Sequence, residues 1–164
     1  MKNTLLKGVL LPLVMFLALA CNSKKEEPAA PVIDKEQVKM EIQARENEFA
    51  ELYNSRQLAD IGYYADDAIS YSQNKPPLVG RKSIAEFWKA NLDSNDNNNK
   101  ITFTTKEVFL SNDGVNVVEI GYYALTDSVT NEVINTGNYM SVFEKRDGKY
   151  VCLRDMSTSD MPLE

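Results

Sequence analysis

The chain of 164 residues has no histidine and only two cysteines, Cys21 and Cys152. Without histidine there is no Ser-His-Asp or Cys-His catalytic unit. A zinc site would have almost no ligands to draw on, and neither a metal nor a cofactor is expected. Positive charge is also scarce: 18 Lys and Arg stand against 24 Asp and Glu, for a net charge of −6. That balance argues against nucleic acid as a partner, because phosphate neutralisation by Lys and Arg supplies most of such affinity. It argues equally against attachment to anionic headgroups through a basic surface. Cys152 sits in an apolar-rich strand pattern and reads as a small buried residue rather than a reactive thiol.

What is present begins at the N-terminus. Lys2 and Lys7 precede an uncharged stretch from Gly8 to Ala20, mostly Leu, Val, Met, Phe and Ala, which runs into Ala18-Leu19-Ala20-Cys21. A basic start, a short apolar core and a small-residue exit describe an export signal. The apolar run falls short of the roughly 20 residues that a permanent span needs. With cysteine at the exit, the segment resembles a bacterial lipoprotein signal. Residues 1–20 would then be removed, and Cys21 would carry the lipid that holds the protein to the outer membrane of the cell envelope. Ala18 stands where the usual motif has Leu. Ala18-x-Ala20 also suits ordinary signal peptidase, which would release a soluble protein, and an uncleaved anchor is a third reading. Loss of residues 1–20 takes two lysines and no acids, leaving a net charge of −8. An acylated Cys21 leaves Cys152 without a disulfide partner.

Residues 21–33 read as a tether, with Pro28 and Pro31 keeping it extended. Its Lys24-Lys25-Glu26-Glu27 cluster reads either as a surface-export signal of some Gram-negative lineages or as a solvated linker. A single domain is expected over residues 34–160, long enough for a sizeable core. Asp34 and Gln37 form a capping-box pair. Val38, Ile42, Phe49, Leu52 and Tyr53 then recur at helical spacing, with Arg45 on the same stripe, and predict a helix over Lys35–Asn54. A second short helix is expected over Leu58–Tyr64, closed by Asp66-Asp67, followed by a strand over Ala68–Ser72. Gly80 opens a third helix, about Lys82 to Leu92, with Ile84, Phe87 and Trp88 on its apolar face.

Beyond it the residues become β-branched and aromatic. Strands are expected over 101–110, 115–126, 132–145 and 149–158, with Asp113-Gly114 and Asp147-Gly148 as hairpin turns and a looser turn over 127–131. Helices followed by an antiparallel meander mean α+β, with three helices packed on a curved, mostly antiparallel sheet as a cone-shaped roll. The polar run Asp93–Asn99 is not a calcium loop, since the sixth and twelfth positions that require Gly and Glu hold Asn98 and Thr104.

Several stretches in this order carry a resemblance. They are Tyr64-Ala65-Asp66-Asp67-Ala68, Gly80-Arg81-Lys82-Ser83-Ile84 with Phe87-Trp88, Gly137-Asn138-Tyr139 with Val142-Phe143, and Asp147-Gly148-Lys149-Tyr150. Together they cover about Asp34 to Thr158 and resemble the nuclear-transport-factor-2-like superfamily, in its ketosteroid-isomerase-like, SnoaL-like and unknown-function branches. The resemblance implies a cone fold with an internal cavity, a small apolar or aromatic ligand and, in many members, a homodimer through the open sheet face. Isomerase chemistry needs a carboxylate base, a tyrosine donor and a protonated acid. The resemblance puts those positions at Ser72, near Phe49 and near Met140, where none of the three groups stands. It implies instead a pocket lined by Phe49, Tyr53, Ser72, Trp88, Tyr139, Met140, Leu153 and Asp155.

Strand alternation puts Leu153, Asp155 and Ser157 on one face. A buried Asp155 would have a raised pKa, which makes it the one weak catalytic candidate; its other reading is a structural, hydrogen-bonded carboxylate. Three functions stay open. A lipid-anchored binding protein is favoured. An isomerase, dehydratase or hydrolase-like enzyme would use Asp155 with Tyr139 or Tyr53. A dimeric interaction module would use the face from Val115 to Ala124, with Tyr122 and Tyr123.

Overall fold

A computed structural model of the protein describes residues 33–58, 62–94 and 99–162. The signal, Cys21 and the tether up to residue 32 lie outside the described residues. The expected first helix, α1, runs Lys35–Asn54, and Asp34 caps it by accepting from the backbone N–H groups of Glu36 and Gln37. Those two bonds satisfy donors that a helix start leaves open. The next elements are β1 (Tyr64–Ser72), β2 (Leu78–Val79), α2 (Arg81–Ser94), β3 (Asn99–Leu110), β4 (Asn116–Asp127), β5 (Val133–Arg146) and β6 (Lys149–Ser159). They form one six-stranded sheet in the order β2-β1-β6-β5-β4-β3. Only β1 and β6 pair in parallel. The architecture is the expected α+β one.

The helix count differs. Two helices stand among the described residues, where three were expected. Gly62 and Tyr63 form a turn and Tyr64 already belongs to β1, while residues 59–61 lie outside the described residues. Tertiary bonds override the helical pattern there. The Tyr63 carbonyl accepts from the Cys152 N–H at 2.8 Å. The Gly62 carbonyl accepts from the Arg45 guanidinium at 2.6 Å. Asp66 and Asp67 therefore close no helix. They sit exposed inside β1, where the register with β6 slips between Tyr64 and Ile69, and they pair with Arg81 and Arg146.

Helix α1 lies along β3 and is joined to that edge strand by side-chain amides. Gln43 donates to the Phe103 carbonyl at 3.1 Å and accepts from the Thr105 N–H at 2.8 Å. Asn54 does the same at Ile101, at 3.0 and 2.8 Å. These amides supply the partners that an edge strand otherwise leaves open. Asp147 and Gly148 both have positive φ, as a two-residue turn matching the strand twist requires. The core gathers Val38, Ile42 and Phe49 of α1, Ile84 of α2, and Val108, Val117, Phe143 and Cys152 of the sheet. Among the described residues no helix is long and apolar enough to cross a membrane.

Candidate functional site

Between α1, α2 and the inner face of the sheet lies a cavity of about 250 Å³. Phe49 stands at its centre. Its ring lies 5.1 Å from Tyr63, 6.0 Å from Tyr64, 5.8 Å from Trp88 and 5.7 Å from Phe103, mostly edge to face. Such pairs add stability beyond the area they bury and fix the ring planes. Tyr53, one helical turn further on, packs edge-on against Trp88 at 5.9 Å. Tyr123, Leu125, Asn135 and Ser157 complete the wall.

The floor is polar. Pairing across β1, β6, β5 and β4 puts Ser70 beside Asp155, Asp155 beside Ser141, and Ser141 beside Glu119. All four side chains follow the inward phase of their strands. Glu119 is 0% and Glu46 of α1 is 1% exposed. Their carboxyl groups are close enough that the charge of Glu119 bears on Glu46. Two carboxylates this close cannot both hold full charge away from water, so the pair retains a proton.

Donors converge on this pair. Tyr63 donates to Glu46 Oε1 at 2.5 Å, and Thr105 and Tyr139 donate to Glu119 Oε1 at 2.6 and 2.9 Å. Burial, then the charge of Glu119, raises the Glu46 pKa well above the usual carboxylate range. Burial also raises Glu119, against the pull of its donors. Tyr139 reaches Glu119 by lying across the next strand at Gly121, where a Cβ would overlap its ring. Glycine is required there for this close approach.

Asp155 has its own partner. Tyr64 donates to its Oδ2 at 2.6 Å. Oδ1 is buried and makes no hydrogen bond of good geometry, although the nearby Ser70 hydroxyl favours the charged form. Burial outweighs both donors and raises the Asp155 pKa. Burial likewise pushes up Tyr63, Tyr64 and the Cys152 thiol, which therefore stay protonated at neutral pH.

Of the expected pocket residues, Phe49, Tyr53, Trp88, Tyr139 and Asp155 line the cavity together. Three others do not. Ser72 ends β1 beside Ser157, and Ser70 takes the inward place next to Asp155. Met140 points outward and is 41% exposed, because Tyr139 and Ser141 hold the inward phase of β5. Leu153 falls where the β5–β6 register slips, so the alternation restarts between Cys152 and Arg154. Tyr122 and Tyr123 part in the same way: Tyr122 is exposed on the outer face and Tyr123 lines the cavity.

Glu46, Glu119, Tyr63 and Tyr64 are not among the residues expected at the site. The glutamates had a signal. Glu46 stands four residues after Ile42 and three before Phe49, on the apolar stripe. Glu119 shares the inward phase of Val117 and Gly121.

A family model described as the SnoaL-like domain matches residues 47–153. No curated protein sequence matches the chain. Solved structures do. A domain of unknown function with a cystatin-like fold from Nostoc punctiforme superposes with a TM-score of 0.66 at 16% identity, over 79% of each chain. A ketosteroid isomerase-like protein from Erwinia carotovora atroseptica gives 0.60 at 16% identity, over 79% of this chain and 100% of that one. A Catenulispora acidiphila protein in complex with S-DNPA gives 0.64 at 12% identity, over 76% of this chain and 95% of that one. At these identities the likeness establishes the fold. With two helices on a curved six-stranded sheet among its described residues, the chain belongs to the SnoaL-like domain family of the nuclear-transport-factor-2-like superfamily.

Proposed function

We propose that this protein is a lipid-anchored protein of the bacterial cell envelope whose domain binds a small aromatic or alicyclic compound in the cavity. The observation that carries the reading is the cavity itself: eight aromatic residues around about 250 Å³, with the carboxyl groups of Glu46 and Asp155 in the same lining. An apolar cavity of about 150 Å³ already takes up benzene, so a compound of one or two rings suits this one. Ligand sites are usually largely preformed, apolar clefts with a few placed polar groups. The Catenulispora acidiphila relative, in complex with S-DNPA, supports a ligand-holding reading of the fold.

The anchor rests on Lys2, Lys7, the uncharged stretch to Ala20, and Cys21. Trp88 is the sole tryptophan and lines the cavity, so its emission reports occupancy. Ring compounds such as ethylbenzene are expected to shift it saturably. Radiolabelled palmitate is expected to label the native chain in bacteria, and Cys21→Ser to remove both the label and membrane retention. Saturable binding without label would keep the pocket and remove the anchor.

One observation favours a homodimer as well. Tyr71, Met156, Met140 and Ile120 pair in succession across the outer face of β1, β6, β5 and β4. The first three are 41%, 56% and 41% exposed. A second copy laid face to face would cover this apolar row.

A further inference from the structure

Two side chains that line the cavity each carry a buried atom that makes no hydrogen bond of good geometry: the Trp88 indole Nε1, and Asp155 Oδ1 with the Ser70 hydroxyl nearby. An indole N–H is a donor only, and an ionised carboxylate is an acceptor only. A buried polar atom without a partner is destabilising, so native folds keep few of them and each calls for a cause. Glu119 Oε2 is a third such atom among the described residues, but Glu119 does not line the cavity. Arg45 Nε and Asn99 Oδ1 belong to residues that do not line the cavity. The two remaining orphans share one cavity and have opposite hydrogen-bonding character.

Resting on the cavity binding proposed above, we infer that Trp88 Nε1 and Asp155 Oδ1 form a two-point recognition pair for an uncharged ring compound bearing both a carbonyl-type acceptor and a hydroxyl-type donor. Trp88 donates to the acceptor, and Asp155 accepts from the donor. The Tyr64 hydroxyl fixes the carboxylate by its bond to Oδ2, which leaves Oδ1 for the ligand. Anionic ligands are excluded by the same walls. The carboxyl groups of Glu46 and Asp155 line the cavity, while the buried Arg45 is held by Glu48 and the Gly62 carbonyl and does not.

The test is a Trp88 fluorescence titration of the full chain in detergent, corrected for ligand absorption. The probes are para-hydroxyacetophenone, acetophenone, para-ethylphenol, ethylbenzene and para-hydroxybenzoate. The first is expected to bind about tenfold tighter than acetophenone, which lacks the donor, and about tenfold tighter than para-ethylphenol, which lacks the acceptor. Para-hydroxybenzoate is expected not to bind. In Asp155→Asn, Tyr64 would hold the amide oxygen and turn the NH₂ towards the ligand. That variant is expected to lose the preference over acetophenone while keeping the preference over para-ethylphenol.

Equal affinity of para-hydroxyacetophenone and ethylbenzene for the native chain would overturn the inference and assign both orphan atoms to water, leaving the cavity reading intact. Silence of Trp88 towards every probe would overturn the cavity reading and the inference with it. Because the decisive comparison is made on the native chain, misfolding of the variant cannot hide either result.

Discussion

Glu46 and Glu119 hold a proton in the folded chain that each would release above about pH 4.5 when unfolded. Asp155 is raised in the same direction. A raised carboxylate pKa means that the folded state binds more protons than the unfolded one, so this cluster's share of stability falls as pH climbs above the ordinary value. Asp67, Asp113 and Asp127 are lowered by their hydrogen bonds, and their exposed contribution is lost as pH falls through their folded values. The melting temperature is therefore expected to peak on the acid side of neutrality and to fall between about pH 5 and pH 8. Glu46→Gln keeps an acceptor for Tyr63 but does not titrate. It should melt higher than the native chain at pH 8 and flatten the profile; a lower melting temperature at pH 8 would contradict the retained proton. Gly121→Ala tests the positioning of Tyr139. Its Cβ overlaps that ring, and a loss of about 1–3 kcal/mol in urea unfolding is expected. The acid pair was legible in outline, since Glu46 and Glu119 stand at core phases of their elements. What periodicity could not supply is that they meet, because one is on α1 and the other on β4.

Among the elements, the four long strands and both described helices follow from residue pattern and turn chemistry. Asp147-Gly148 and the alternation through β4 needed nothing beyond the local sequence. The expected second helix does not reach its end at Tyr64, because Arg45 and Cys152 bond the carbonyls of Gly62 and Tyr63, which form a turn into β1. A register slip explains the misplacement of Leu153. A bulge resets the alternation at Leu153, whereas Ser70 and Ser72 share one face of β1 and the pairing with β6 sets Ser70 beside Asp155. A one-residue slip turns a side chain to the opposite face, and pattern alone does not locate it. At this scale the outer row makes its own prediction. Met140→Glu places charge at the middle of the exposed apolar row without touching the cavity. Sedimentation should show a dimer for the native chain and a monomer for the variant, with the melting temperature within a few degrees. A native monomer at tens of micromolar would remove the dimer.

In the whole molecule, an aromatic wall and an acid floor share one space. The amides of Gln43 and Asn54 hold α1 against β3, α2 brings Trp88 to the opposite side, and β6 delivers Asp155 between them. The net charge of −6 argues against a basic surface as a route to a membrane and is compatible with the lipid proposed for Cys21. The most direct measurement of the central claim is native mass spectrometry of the full chain, purified gently from its cells and sprayed with and without denaturation. The account expects a small neutral compound that stays with the folded protein and leaves on unfolding. A protein that flies bare under both conditions, and stays bare after incubation with ethylbenzene and para-hydroxyacetophenone, would contradict it.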